Sequence, residues 1–157
     1  MHFGLKGMIS VVRFRGWAMN VAKTTSILLM EDEIIIAMDV EDTLHRAGFH
    51  QIETVSSCQA AEEWLTANDP DLVVMDVELK DGIAGAIARS LRDRHIPFIV
   101  YTGAQQKVHP DAAAFSEGVW LEKPCEPAAL LTEIRRCIRQ GPTSIVVDGC
   151  TQGRNTR

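Results

Sequence analysis

Several things are scarce in this sequence, and each scarcity excludes something. Only four cysteines occur, Cys58, Cys125, Cys137 and Cys150, with no CxxC or Cys/His spacing. That excludes a sulfur-bound metal centre and leaves reduced thiols, some of them used for core packing. No apolar run approaches the roughly 20 residues that a membrane helix needs. Met1–Lys23 mixes basic and apolar residues but has no clean apolar stretch before a small-residue cleavage site. This argues against a secretion signal, and the expected location is cytoplasmic, with no membrane partner. Basic residues are also scarce where they would matter: residues 27–140 carry 20 acids against 10 lysines and arginines. Such an acidic domain excludes a broad nucleic-acid surface. No internal repeat is visible, and residues 142–157 are too few for a DNA-binding or catalytic output domain.

What is present fits one domain. At 157 residues and 46% hydrophobic composition the chain can bury a stable core. The expected organisation is an N-terminal extension over 1–26, a domain over 27–140 and a loose tail over 141–157. The extension carries Lys6, Arg13, Arg15 and Lys23 and no acid. Met19 offers an alternative start, so residues 1–18 are expected to be dispensable. Short apolar runs at 27–30, 72–75, 98–101 and 119–121 read as buried parallel strands, and 51–55 as a further strand. Helical spacing falls between them. A helix over 33–47 has Ile34, Ile35, Met38 and Leu44 as its apolar face and Gly48 as its stop. A second starts at Ser56 or Ser57 with Ala60, Ala61, Trp64 and Leu65 at helical spacing. A third covers 83–94, and a last one covers 127–139. The stretch 105–116 gives a weaker signal for a short helix. Five β–α units joined by short loops predict a doubly wound, five-stranded parallel α/β sheet in the flavodoxin-like order 2-1-3-4-5.

A polar residue follows each of four strands: Glu31-Asp32-Glu33, Asp76, Thr102 and Lys123-Pro124. In an open α/β sheet, ligands bind beyond the carboxyl ends of the strands, so these groups should meet at one edge. Together they permit phosphoryl transfer. Asp76 can attack phosphorus and form an acyl phosphate. Glu31 and Asp32 can give oxygen ligands to Mg²⁺, which also relieves the repulsion among three carboxylates. Lys123 can neutralise one phosphoryl oxygen, and Thr102 can donate a hydroxyl to another. Taken singly, each has an ordinary explanation. An acid after a strand is often a solvated loop or cap residue, Thr before Gly a turn residue, Lys before Pro a surface lysine. Their arrival at successive strand ends carries the signal.

The stretches "ILLMEDE", "DLVVMDVELKDG", "PFIVYTG" and "VWLEKP" resemble the receiver domain of two-component response regulators over residues 27–139. The resemblance implies that Asp76 is the phosphoacceptor and that Glu31 and Asp32 are the acidic pair. Asp32 would be the direct Mg²⁺ ligand and the Glu78 backbone carbonyl a further one. Thr102 takes the place of the switch hydroxyl, Lys123 that of the phosphate-binding lysine, and Trp120 that of the aromatic switch residue. The Lys123-Pro124 bond resembles the family's cis-proline turn. Three departures stand out. Glu31 replaces the usual Asp, so contact with metal through water is expected. Trp120 is bulkier than Tyr or Phe and is not expected to bury fully. Tyr101 replaces a small residue in a strand otherwise similar to that of the stand-alone "PFxFATG" receivers of alphaproteobacterial signalling.

The implied partners are a histidine kinase or phosphotransfer protein, then a downstream protein, with a homodimer formed on phosphorylation through the region 105–139. The implied function is a stand-alone receiver that signals by conformational change, with phosphate sink or phosphorelay intermediate as the alternative. No steady enzymatic turnover is expected, only single-turnover self-phosphorylation and dephosphorylation. A haloacid-dehalogenase-like phosphatase would want a second Asp two residues after the nucleophile, where this chain has Glu78, and a cap-sized insertion that it lacks. A phosphorylation-independent scaffold is disfavoured by the intact Asp76, Thr102 and Lys123.

Overall fold

The computed structural model describes residues 24–104 and 110–140. The expected tail over 141–157 and all but the end of the expected N-terminal extension lie outside the described residues. The elements run β1 (Ser26–Met30), α1 (Ile34–Arg46), β2 (Gln51–Val55), α2 (Cys58–Ala67), β3 (Leu72–Met75), β4 (Glu78–Leu79), β5 (Gly82–Ile83), α3 (Gly85–Asp93) and β6 (Phe98–Thr102). A single 3-10 turn (Ala112–Phe115), β7 (Val119–Glu122) and α4 (Pro127–Gln140) complete the described chain. Five strands form one parallel sheet in the order β2-β1-β3-β6-β7. This is the expected 2-1-3-4-5 order, with β6 and β7 as the fourth and fifth strands. β4 and β5 form a separate antiparallel ribbon.

The inner strands are apolar along their length because both faces are covered. Side chains alternate between two layers. Leu28, Met30, Val73, Met75 and Val100 pack toward Ala61 and Leu65 of α2 and Ile87 and Leu91 of α3. Ile27, Leu29, Leu72, Val74 and Ile99 pack toward Val40 and Leu44 of α1 and Leu130 and Ile134 of α4. The edge strand β2 reads exposed and half-buried in alternation until Val55.

Three expectations need correction or refinement. The buried face of α1 is Ala37, Val40 and Leu44, whereas Ile34, Ile35 and Met38 are exposed at 73%, 78% and 61%. Both sets sit at helical spacing, and the direction in which α1 lies on the sheet selects the set with the smaller residues. The helix expected from 83 begins at Gly85, because Ile83 is taken up by the ribbon. The short helix expected over 105–116 is, among the described residues, one 3-10 turn anchored by the fully buried Phe115.

The register carries the strand ends to one level. Met30 pairs with Met75, and Met75 with Val100. The ladder then continues one step past the strands: Asp76 N donates to Met30 O at 3.0 Å, Glu31 N to Val55 O at 3.0 Å and Lys123 N to Thr102 O at 2.9 Å. The polar residues that follow the strands are thereby fixed by backbone hydrogen bonds of neighbouring strands.

Candidate functional site

Asp76, Glu31, Thr102 and Lys123, far apart in sequence, converge at this edge. One oxygen of Asp76 accepts the Thr102 hydroxyl at 2.7 Å and the Glu78 N–H at 3.3 Å. The other accepts the Lys123 ammonium at 2.7 Å. Lys123 also donates to Glu31 Oε2 at 2.5 Å, and Glu31 Oε1 accepts the Glu33 N–H at 3.0 Å. Glu31 is 3% exposed, and these two donors satisfy its buried oxygens. Burial alone would push the Lys123 ammonium down, but its hydrogen bonds to Asp76 and Glu31 outweigh burial and hold it above the usual lysine range. The Tyr101 ring lies 5.4 Å from the Lys123 nitrogen, close enough for a cation–π contact. Burial, followed by the nearby Cys125, pushes the Tyr101 phenol up, so it stays neutral.

In front of this cluster is a cleft of about 430 Å³. Asp32, Asp76 and Glu78 line it together with Glu33 and Thr102, and Leu79, Gly103 and Ala104 complete the wall. Glu31 and Lys123 are absent from the lining. The acidic pair therefore divides its tasks: Asp32 faces the cleft, while Glu31 is hydrogen-bonded to Lys123. Among the described residues no three His, Cys, Asp or Glu side chains form a closed metal cage. Mg²⁺ does not require one, since it binds through one or two carboxylates and keeps several waters. The donors on the cleft are all oxygen, which fits this hard cation.

Trp120 is half-buried, as its bulk implies. Its indole N–H donates to Ala104 O at 3.3 Å, and its ring meets Phe115 edge-on at 6.2 Å and 88°. The Ala104 N–H donates to Thr102 Oγ1 at 3.3 Å. A chain of contacts thus runs from Asp76 through the Thr102 hydroxyl and the Ala104 peptide to Trp120. The Lys123-Pro124 bond is cis, as expected. Sequence reasoning missed Ala104, which acts through backbone groups and so leaves no side-chain signal. It also gave no role to Lys80 and Asp81, whose side chains reach across to Ser56 and to the first N–H groups of α2.

Comparisons with known proteins place the fold in a family. The family model for the response regulator receiver domain matches residues 27–135. No curated protein matches the chain. Among solved structures, the signal receiver domain of a signal transduction histidine kinase from Syntrophus aciditrophicus is similar at 25% identity and a TM-score of 0.64. That match covers 82% of this chain and 97% of that one. The chemotaxis response regulator CheY4 of Vibrio cholerae is similar at 24% identity and a TM-score of 0.64, covering 72% of this chain and 98% of its own. The receiver domain of a sensor histidine kinase from Pseudomonas aeruginosa PAO1, described with a magnesium ion coordinated in its active-site cleft, matches at 24% identity and a TM-score of 0.64. Coverage there is 73% of this chain and 98% of that one. With its motifs, sheet order and family match in agreement, the chain belongs to the response regulator receiver domain family of two-component signalling.

Proposed function

We propose that this protein is a receiver that takes one phosphoryl group from a histidine kinase or phosphotransfer protein onto Asp76. The observation that carries the reading is the state of the Asp76 carboxylate. It stands on the cleft with one oxygen held by a hydroxyl and the other by an ammonium. Both donors can follow charge onto the oxygens of a transferring phosphoryl group, the main electrostatic need of this chemistry. Attack by Asp76 forms the carboxyl-to-phosphorus bond as the donor nitrogen–phosphorus bond breaks. Lys123 and Thr102 then exchange their Asp76 contacts for phosphoryl oxygens. Asp32, Asp76 and the Glu78 carbonyl would hold Mg²⁺, which supplies the positive charge that lets an anionic nucleophile approach an anionic donor.

The output follows from Thr102. When its hydroxyl turns to the phosphoryl group, the Ala104 peptide loses a partner and Trp120 is freed to move, which changes the surface around β7 and α4. The exposed Ile34, Ile35 and Met38 begin α1 beside Glu33 on the cleft rim. This apolar patch beside the cleft suits docking of a phosphodonor protein. The protein stops at one phosphoryl group per chain and is not a turnover enzyme. The test is labelling of the full chain by acetyl phosphate with Mg²⁺. The wild-type chain should accept at most one equivalent and Asp76→Asn none. Undiminished labelling of Asp76→Asn would sink the assignment.

A further inference from the structure

The connection that follows Asp76 is tied to a distant helix by hydrogen bonds to N–H groups that the helix's own cap leaves unpaired. At the tip of the β4–β5 ribbon, the Asp81 carboxylate accepts the Cys58 N–H at 2.8 Å and the Gln59 N–H at 3.0 Å. Beside it, Lys80 donates to the Ser56 hydroxyl at 3.0 Å. These residues lie at the start of α2, more than 20 positions earlier in the chain. A helix begins with unpaired N–H groups, and a cap normally comes from the residue just before it. Here that residue is present: Ser57 accepts the Ala60 N–H at 3.1 Å. A second, charged cap from another element adds favourable interaction with the helix dipole. It also ties the ribbon down.

The ribbon needs such a tie. It consists of two two-residue strands, Glu78 opposite Ile83 and Leu79 opposite Gly82, and a hairpin of that size is marginal alone. Its turn passes through Gly82 at φ +141°, a conformation that side chains disfavour. Val77 and Leu79 anchor its near end in the core, and the buried Ala84, whose N–H donates to Val77 O at 2.9 Å, closes its base, which leaves the tip to the Asp81 and Lys80 contacts. Three positions before Asp81 is Glu78, which lines the cleft and donates its N–H to Asp76 Oδ1.

The geometry points to Asp81 as a positioning residue for phosphoryl transfer: clamped across the start of α2, it fixes the ribbon so that the Glu78 peptide stays aligned with Asp76 on the cleft. This role rests on Asp76 being the phosphoacceptor, and Asp81 itself touches no reacting atom. The two N–H donors, Gln59 and Cys58, hold the Asp81 carboxyl below the usual range, so the clamp is charged throughout neutral pH. Contacts behind a metal-binding or reacting group typically change affinity or activity about 10-fold or more when removed.

The experiment compares three variants of the full chain, Asp81→Ala, Asp81→Asn and Ser57→Ala. Mg²⁺ affinity is read by calorimetry, labelling by acetyl phosphate and backbone protection by hydrogen exchange without metal. Asp81→Ala should weaken Mg²⁺ binding by roughly 10-fold and slow labelling to match at sub-saturating Mg²⁺, with recovery at high Mg²⁺. Amides over 78–83 should lose protection. Asp81→Asn keeps the shape and one acceptor and should fall between. Ser57→Ala removes a cap from the same helix without touching the ribbon. It should lower Tm comparably and leave Mg²⁺ affinity unchanged. If Asp81→Ala and Ser57→Ala behave alike, with Mg²⁺ affinity unmoved and only α2 deprotected, Asp81 is a helix cap and the proposal is overturned. If Asp81→Ala does not fold, Asp81→Asn and Lys80→Ala carry the same comparison. Failure of the receiver reading is separable, because it would appear as a wild-type chain that takes no phosphoryl group at all.

Discussion

Two of the connections that leave the functional edge of the sheet are built differently. The one after β3 starts at Asp76, folds into the β4–β5 ribbon and is docked by side-chain hydrogen bonds, two on the first residues of α2 and one on Ser56 just before its cap. The one after β6 starts at Gly103 and reaches β7. Its described part holds one 3-10 turn, one buried anchor in Phe115 and the indole bond from Trp120 to Ala104. Under the proposed function, the first connection belongs to the residue that reacts and the second to the residue whose hydroxyl reports the reaction. A reacting group needs fixed surroundings, since misplacement is costly in rate. A reporting segment needs two arrangements close in free energy, which few contacts make attainable.

The largest test of this contrast is Phe115→Ala. Phe115 is fully buried and meets both the core and the Trp120 ring. Its truncation should cost about 3–5 kcal/mol, read by denaturant unfolding, and should deprotect 110–120 while the ribbon amides stay protected. Equal deprotection of both connections would remove the distinction.

Next in size is Lys123→Ala. Lys123 joins the two connections by holding Asp76 while its own N–H bonds to Thr102 O. Its loss leaves Glu31 and Asp76 facing each other without a cation and should cost about 3 kcal/mol. Added Mg²⁺ should restore part of that. The pH dependence has a defined sign. The folded Lys123 holds its proton more tightly than an unfolded lysine. Its contribution is therefore complete below the unfolded value of about 10.4 and is lost as pH rises through the folded value. The wild-type chain should lose stability there, and Lys123→Ala should lose less.

A smaller effect sharpens the comparison on the reporting side. Trp120→Phe keeps the aromatic packing on Phe115 but deletes the indole donor to Ala104, worth about 1 kcal/mol. Labelling of Asp76 should be unaffected, while the phosphorylation-dependent change in protection near β7 should shrink. An unchanged response would show that the indole hydrogen bond is not part of the relay.

The smallest effect concerns the fixed connection. Burial, and then the Asp81 charge and hydrogen bond, push the Cys58 thiol up to about 11. Alkylation of Cys58 near pH 9 should therefore lag behind that of an unstructured thiol. Asp81→Asn should speed it. If the rate does not respond to Asp81, the clamp does not hold in solution.

How much of this was legible beforehand depends on the kind of interaction. Strands β1, β3 and β6 announced themselves because burial on both faces demands unbroken apolar runs, and the residues after them then named the site. The sheet order and the meeting of Asp76, Thr102 and Lys123 followed from rules about crossovers and strand ends. The apolar face of α1 did not follow. Ile34, Ile35 and Met38 have the same helical spacing as Ala37, Val40 and Leu44, and only the seating of the helix on the sheet separates an exposed patch from a core. The pairing of Glu31 with Lys123 was also hidden, since adjacent carboxylates look alike until one points at an ammonium and the other at a cleft. The Asp81 clamp was hidden for a similar reason: a side chain that caps a helix more than 20 positions earlier leaves no local pattern. The sequence by itself determined the sheet, its order and the polar constellation at the strand ends, because periodicity and strand-end placement are local rules. Tertiary structure alone decided which acid serves the lysine, which face of α1 meets solvent and what holds each connection in place, because those outcomes depend on the direction of side chains brought together across the chain.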